Sequence, residues 1–401
     1  MIINKKLIKN YLTVRYDPMI NSKNLAKWKD FVSNTSDING KITEKFLGDS
    51  ILNSIPDDDS PISVSLSSGI DSSLCLAILR KTFPKRKIIT FCGVFDSGFD
   101  ESKEAKLIAE KFSAEFKTVD MGSIFTRMPE IISITQKPRW NTYNHLIAKE
   151  AKKNSNYLVT GDGADELFGG YVFRYNKFNQ LLNSKDNWLD KTKKYFECHN
   201  RDWVPDQTSI FHKNIKFNWN EIYNYFKPYF KNSLDPLSQV MLADFNGKLL
   251  LDFIPTGKSI SNYYNLKSIP IFLDKNLVNF ATKLPLNQKY NKKSIIGKLI
   301  LRKIAKRLHV KHIEEKKGFS PALLFDWQKN GKSITESFLL NKKSQIYKKN
   351  IINYDWIVNA FEKVEFDGDI RYLNRLISIL GLELWIKIFI THELKSNSKL
   401  T

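Results

Sequence analysis

The stretch Ile62-Ser-Val-Ser-Leu-Ser-Ser-Gly-Ile-Asp-Ser-Ser73 joins a short apolar strand, Ile62 to Leu66, to a helix predicted from Ser72 to about Arg80. The residues between strand and helix are small and carry hydroxyl groups. Small residues let backbone N–H groups approach an anion closely, and a helix N-terminus adds partial positive charge. The hydroxyls of Ser67 and Ser72 can donate to phosphate oxygens. The stretch therefore predicts a phosphate-binding loop, although an ordinary Ser/Gly turn before a helix has the same composition.

A second loop, Gly161-Asp-Gly-Ala-Asp-Glu-Leu-Phe-Gly-Gly-Tyr171, follows the predicted strand Asn156 to Thr160. Its closely spaced carboxylates indicate a cation, because an acidic surface loop does not explain a position directly after a buried strand. Asp71 in the first loop would be repelled by phosphate unless Mg²⁺ lay between them, so it is interpreted as a metal ligand. Two such loops at the carboxyl ends of parallel strands define a crevice in which ligands bind.

Strands and helices alternate through the first half of the chain, which predicts a parallel sheet with helical crossovers. After Asp100, a predicted N-cap, Ala105, Ile108, Ala109 and Phe112 share one helical face. The predicted fold class is α/β, with a parallel-sheet core leading into a mostly helical C-terminal half. The predicted strands are 62–66, 87–95, 116–120 and 156–160, and the last strong helix is 372–391. The predicted divisions are a lead-in (1–55), an α/β core (about 56–180) and a helical part (about 181–395).

Composition narrows the class of protein. The 401 residues include 42% hydrophobic residues and three widely spaced cysteines, which excludes a disordered chain, a disulfide scaffold and a zinc ribbon. We expect a soluble, cytoplasmic protein, because no signal peptide or membrane-spanning stretch is evident. The net charge of +21 fits a polyanionic partner such as nucleic acid, but the joint abundance of Lys, Asn, Ile, Phe and Tyr favours a codon-driven composition.

The two loops resemble those of the asparagine synthetase family, ATP-pyrophosphatase-type enzymes related to β-lactam synthetase. Residues 161–171 match the family's Gly-[Glu/Asp]-Gly-x-Asp-Glu-Leu-Phe-Gly-Gly-Tyr throughout, and residues 67–72 match Ser-Gly-Gly-x-Asp-Ser except for Ser68. Further matches, in the family's order, are Ile271-Phe-Leu-Asp274, Lys298-Leu-Ile-Leu-Arg302, Lys316-Lys-Gly-Phe319 and Leu382-Glu-Leu-Trp-Ile386. The resemblance implies the adenine nucleotide α-hydrolase-like fold over about residues 56–395.

The resemblance also implies roles for individual residues. ATP and Mg²⁺ are the expected cofactors. Lys316 is expected to stabilise charge on the triphosphate during adenylation, and Asp162 to take a proton from the attacking nitrogen. Lys298 and Arg302 could touch phosphate, but basic residues at i, i+4 are more often a solvated helix face. The expected nucleotide-binding residues are Leu66, Ser67, Ser68, Gly69, Asp71, Ser72, Gly93, Thr160 and Gly161, and the expected metal ligands are Asp71 and Asp165.

Departures from the family pattern leave the substrate open. Position 2 is Ile2 rather than the glutaminase nucleophile, so nitrogen is expected from ammonia, a separate glutaminase or a substrate amine. Basic residues replace acidic ones near Lys137 and at Lys267, which indicates either a different substrate or ordinary drift. The expected activity is an ATP-dependent ligase that releases AMP and pyrophosphate, with aspartate to asparagine as the family default. Amidation or cyclisation of a specialised metabolite or peptide, and an RNA-modifying ATP pyrophosphatase, are the alternatives.

Overall fold

A five-stranded parallel sheet forms the centre of the structure. The computed structural model describes residues 4–20, 25–98, 100–139, 144–199, 203–311 and 322–401. The sheet has the order β3-β2-β1-β4-β5, and every neighbouring pair of strands is parallel. Its strands are β1 Ile62–Ser65, β2 Ile88–Val94, β3 Glu115–Asp120, β4 Tyr157–Thr160 and β5 Lys267–Pro270. A separate antiparallel hairpin pairs β6 Tyr290–Asn291 with β7 Ile296–Gly297.

Helices cover both faces of the sheet and make up most of the second half of the chain. Those in the described residues are α1 Lys5–Val14, α2 Lys41–Ser54, α3 Ile70–Thr82, α4 Ser102–Lys111, α5 Met128–Thr135, α6 Asn144–Lys152, α7 Ala164–Phe168, α8 Val172–Leu181, α9 Trp188–Glu197, α10 Trp219–Phe230, α11 Pro236–Asp244, α12 Ile254–Tyr263, α13 Lys275–Ala281, α14 Leu286–Lys289, α15 Leu299–Arg307, α16 Leu323–Asp326, α17 Lys332–Leu339, α18 Gln345–Lys348, α19 Tyr354–Asp367 and α20 Ile370–Phe389. Two π-helical segments, Phe245–Phe253 and Trp327–Gly331, continue α11 and α16.

The predicted fold class is confirmed. The four predicted strands correspond to β1 through β4, and the predicted helices after Ser72 and Asp100 correspond to α3 and α4. The fifth strand, β5, was not predicted. It is only four residues long, ends in Pro270, and buries a single residue, Ile269, so it lacks the alternation that identifies a strand in sequence.

Helix α2 connects the predicted lead-in to the core. It packs against α3, and its residues Leu47 and Ile51 are completely buried in the same apolar cluster as Leu74 and Val64. Part of the stretch 1–55 therefore contributes to the core of the sheet. The division of the chain at residue 55 itself stays a prediction.

Helix α20 organises a second apolar cluster at the C-terminal end of the chain. The helix is buried from Tyr372 through Leu384 apart from Asn374 and Ser378, and it packs against α5, α17 and α19. Helix α1 also contacts it, with the Arg375 guanidinium donating to the carbonyl of Leu12. Within the described parts of the chain, no helix has both the length and the apolar character needed to cross a bilayer.

Candidate active site

The two predicted loops leave the sheet side by side. Strands β1 and β4 are parallel neighbours, with Val64 in register with Val159. The residues that follow the two strands therefore begin side by side at the carboxyl ends of the strands. The chain visits β2 and β3 on one side of β1 before it crosses to β4 on the other, which makes this the topological switch point where α/β proteins bind ligands. A Cβ added at Gly161 would lie 3.1 Å from Cβ of Asp71. A side chain at position 161 would therefore crowd Asp71.

The first loop has the geometry of an anion site. Gly69 is the N-cap of α3, a helix of 13 residues whose N-terminus carries partial positive charge. The hydroxyls of Ser67 and Ser72 are 2.8 Å apart, and Ser72 Oγ also accepts from the backbone N–H of Ser67 at 3.0 Å. The backbone N–H of Gly69 donates to Ser67 Oγ at 3.2 Å. The loop therefore holds two hydroxyl groups together beside the N-terminus of α3.

Ser68 points away from that anion site. Its backbone N–H and its hydroxyl both donate to Oε2 of Glu101, at 2.9 and 2.7 Å. Ser68 is buried, and Glu101 is the N-cap residue of α4. The sequence did not identify Glu101, because it lies 33 residues from its partner in an adjacent β–α unit. The mismatch with the family motif at Ser68 was the only signal of an additional partner.

Lys298 bridges the two predicted metal ligands. Its ammonium lies 2.5 Å from Oδ2 of Asp71 and 2.6 Å from Oδ1 of Asp165, and the lysine is buried. Burial opposes the charged form, but the two carboxylates outweigh burial and raise the pKa of Lys298. The interpretation of Lys298 as part of a solvated helix face was wrong. Arg302, one turn further on, is half-buried, and its Nε donates to the carbonyl of Gly297 at 3.0 Å.

The backbone around Lys298 is shaped for this contact. Lys298 has a φ of 56°, in the left-handed region that side chains other than glycine adopt only at a cost, and it precedes the first residue of α15. Its N–H donates to the carbonyl of Phe168 at 3.0 Å. A Cβ at Gly170 would come within 1.8 Å of Asp165 Oδ1 and 2.4 Å of Lys298 Cε. Glycine at position 170 is thus required for the lysine to reach both acids.

The acids themselves fit a hard cation that arrives with a nucleotide. Carboxylate oxygens are the donors that Mg²⁺ prefers. Oδ1 of Asp71 is buried and accepts no hydrogen bond from the part of the chain that the structure describes. The described residues contain no cluster of three or more His, Cys, Asp or Glu side chains able to hold a metal. Asp71 and Asp165 are the residues that would hold such a cation.

Asp162 lies at the open side of the site. Its side chain reaches solvent, and Oδ2 accepts a hydrogen bond from the hydroxyl of Thr160 at 2.8 Å. The surrounding protein displaces much of its hydration, and the charges of Asp71 and Asp165 add to this, so the pKa of Asp162 is raised despite the bond from Thr160. A carboxyl group with a raised pKa at the mouth of a crevice is suited to proton transfer.

A buried polar network supports the second loop from behind. Glu166 accepts from the Tyr171 hydroxyl, and burial, together with the charge of Asp165, raises the pKa of Glu166 to about 7. The guanidinium of Arg174 lies 3.6 Å from the centroid of the Tyr171 ring, and Arg174 Nη1 pairs with Oδ1 of Asp244 at 3.0 Å. Asp244, just before the π-helical segment, was not identified from the sequence, because only the tertiary fold brings it to the loop.

Comparison with known proteins now decides the family. The asparagine synthase family profile matches residues 44–387. The chain belongs to the asparagine synthase family. It is 25% identical over 310 residues to the glutamine-hydrolyzing asparagine synthetase 1 of Bacillus subtilis (strain 168), a match that covers 68% of this chain and 48% of that protein. A putative glutamine-hydrolyzing asparagine synthetase of Mycobacterium bovis is 33% identical over 120 residues, covering 28% of this chain and 18% of the relative.

The chain thus spans about half the length of the Bacillus protein that it matches. Among solved structures, it is similar to NMN synthetase from Francisella tularensis, with 15% identity, a TM-score of 0.26, and coverage of 57% of this chain and 92% of that chain. The U34-tRNA thiolase NcsA from Methanococcus maripaludis gives the same identity and TM-score, with coverage of 70% and 84%.

The remaining predicted site residues of this asparagine synthase domain fall in three places. Leu66 directly follows β1, and Gly93 is near the carboxyl end of β2, on the same edge of the sheet as the two loops. Thr160 is the last residue of β4 and is bonded to Asp162. Lys316 lies outside the described residues, so its role stays a prediction.

Two basic residues in the segments that depart from the family pattern have structural partners. Arg139, close to Lys137, is buried and forms an ion pair with Asp252 of the π-helical segment. Lys267 is the first residue of β5, beside Tyr157 at the amino end of β4, and its ammonium donates to the carbonyl of Ser54 at 2.7 Å. Lys267 therefore lies at the edge of the sheet opposite the two loops.

Proposed function

We propose that this protein is an ATP-dependent amide-forming ligase that adenylates a substrate carboxylate and releases AMP and pyrophosphate. The proposal is carried by one observation. Asp71 and Asp165, from the first turns of α3 and α7, meet near the N-terminus of α3 with Lys298 between them. Anion donors, a carboxylate pair and a buried ammonium together suit a metal-bound triphosphate.

The chain's own residues have distinct tasks in this proposal. The loop residues Ser67, Gly69 and Ser72 hold the β- and γ-phosphates. Mg²⁺, when bound, neutralises phosphate charge. A carboxylate oxygen of the substrate attacks the α-phosphorus atom, and the bond to pyrophosphate breaks. Lys298, which is ion-paired with Asp71 and Asp165, is the residue proposed to stabilise the charge that the leaving pyrophosphate gains.

In the second half of the reaction an amine nitrogen attacks the carbonyl carbon of the acyl-adenylate. The C–N bond forms, the C–O bond to AMP breaks, and the nitrogen loses a proton. Asp162 is the proposed acceptor of that proton, because its carboxylate is exposed at the site and its raised pKa makes it a stronger base than an ordinary aspartate. Aspartate and ammonia are the default substrates, with a larger metabolite or peptide carboxylate and its amine as the alternative. A separate glutaminase is a proposed partner for supplying ammonia.

The test is carboxylate-dependent exchange of labelled pyrophosphate into ATP, with aspartate as the first carboxylate and a panel of others after it. Asp71→Asn and Asp165→Asn should each abolish exchange. Asp162→Asn should keep exchange and lose amide formation, because the proposed role of Asp162 is to accept a proton from the attacking amine, after adenylation. Asp59→Asn, in an exposed turn, is the matched control and should behave as wild type. Loss of both activities in Asp162→Asn would contradict its role towards nitrogen, and exchange that survives in Asp71→Asn would contradict the site.

A further inference from the structure

The link between Ser68 and Glu101 joins the phosphate loop to a different β–α unit. Both donors of Ser68 end on the same carboxylate oxygen, at 2.9 Å from the backbone N–H and 2.7 Å from the hydroxyl. Ser68 is only 3% exposed. Because a buried donor without an acceptor costs free energy, the position of Glu101 fixes the position of Ser68.

Glu101 is itself held in place by the start of α4. Its carbonyl accepts from the N–H of Ala105 at 3.0 Å, which begins the helix. The preceding Asp100 accepts from the N–H of Ser102 at 2.9 Å through Oδ1. The carboxylate of Glu101 thus projects from a defined backbone rather than from a free loop.

Ser68 lies between the two residues whose donors face the anion site. Ser67 provides a hydroxyl and Gly69 a backbone N–H, and these two are 3.2 Å apart. A rotation of the Ser68 peptide would turn both neighbours. The orientation of the anion donors therefore depends on where Ser68 is anchored.

We propose that Glu101 is a positioning residue for the pyrophosphate loop, and that Ser68 replaces a glycine of the family motif because its hydroxyl gives Glu101 a second bond. The inference rests on the proposed function, since it assumes that the loop receives the β- and γ-phosphates. Glu101 does not touch the nucleotide in this proposal. It acts through Ser68 alone.

Positioning and simple charge repulsion predict opposite changes in ATP affinity when Glu101 is replaced. A carboxylate close to a triphosphate repels it, so if charge dominated, any neutral replacement of Glu101 would tighten ATP binding. If positioning dominates, Glu101→Gln keeps an acceptor oxygen in place and stays close to wild type, whereas Glu101→Ala leaves both donors of Ser68 unpaired and weakens binding. Glu101→Asp keeps the charge but withdraws the oxygen by one methylene, and it should resemble the alanine variant.

The experiment measures ATP affinity by calorimetry with Mg²⁺ present, together with inhibition of the exchange reaction by pyrophosphate and by AMP. Glu101→Ala and Glu101→Asp should weaken ATP and pyrophosphate binding about tenfold or more, the loss expected for hydrogen bonds to a charged group. AMP inhibition should stay within about twofold, because AMP lacks the β- and γ-phosphates. A general loss of folding would affect all three ligands alike. Glu110→Ala is the control, because the Glu110 side chain lies on the same helix and is 56% exposed.

Ser68→Gly completes the design. It keeps the backbone N–H and removes the hydroxyl, so it should cost about threefold alone and reduce the effect of Glu101→Ala when the two are combined. The proposal would be overturned if the fold-losses of Ser68→Gly and Glu101→Ala simply multiplied in the double variant. It would also be overturned by tighter ATP binding in Glu101→Gln, or by equal losses of affinity for ATP and AMP. Thermal melts without nucleotide identify a variant that fails to fold, in which case Glu101→Gln and Ser68→Gly decide the matter. If wild type binds ATP but exchanges no pyrophosphate with any carboxylate, the proposed function fails while the positioning role of Glu101 is still measurable by binding.

Discussion

Replacing Lys298 with methionine should destabilise the protein through repulsion between two partly buried acids. Oδ2 of Asp71 and Oδ1 of Asp165 lie 2.5 and 2.6 Å from the same nitrogen, so they are at most about 5 Å apart. Two unit charges at that distance repel by about 3 kcal/mol at an effective dielectric constant of about 20. Breaking a buried ion pair by removing one partner generally costs about 3–5 kcal/mol. We therefore expect Lys298→Met to lower the free energy of unfolding by about 3 kcal/mol or more at pH 7.

The assay is urea denaturation without nucleotide, repeated with and without Mg²⁺. A cation between the acids should replace the missing ammonium, so Mg²⁺ should stabilise Lys298→Met more than wild type. Adding Asp165→Asn to the variant should restore part of the loss. Lys306→Met, exposed on the same helix, is the control. A Lys298→Met protein as stable as the control, with no selective response to Mg²⁺, would refute the reasoning.

Three further outcomes are expected. Burial raises the pKa of Glu166 from 4.5 to about 7, so the native state keeps the Glu166 proton at pH values where the unfolded state has lost it. The free energy of unfolding should therefore fall by up to about 3 kcal/mol as the pH rises from 4.5 to 7. In denaturation measured at several pH values, Glu166→Gln should show a smaller fall. Lys289 is buried, and burial lowers its pKa to about 7, so between pH 7 and 10 the unfolded state binds a proton that the native state does not. The free energy of unfolding should therefore rise by up to about 1.4 kcal/mol per pH unit over that range. Lys289→Met should lack this rise. The 401-residue protein should use ammonium salts and ignore glutamine, since Cys75, Cys92 and Cys198 are buried and burial raises their thiol pKa values; product formation from glutamine without added glutaminase would contradict this.

The sequence alone determined the sheet-and-loop half of the protein. Local patterns were sufficient for β1 through β4, because β1, β2 and β4 are short, mainly apolar runs and β3 follows the apolar face of α4. The loop at 161–171 placed Asp165 near Asp71 in advance, since the carboxyl ends of parallel strands share one edge. The family could be recognised from these loops for the same reason: their glycines and acids are contiguous in the chain.

Only the tertiary structure decided which distant residues complete the site. Lys298 lies 227 residues from Asp71, and as a basic residue at the start of a helix it has the sequence signature of a solvated face. Glu101 likewise meets Ser68 only because α4 begins beside the loop that follows β1. In both cases the partner is chosen by burial, because a buried charge or donor must find a counterpart wherever the fold provides one. Spacing along the chain does not indicate which distant residues will meet. The loops could therefore be predicted from the sequence, whereas Lys298 and Glu101, the residues that hold them, could not.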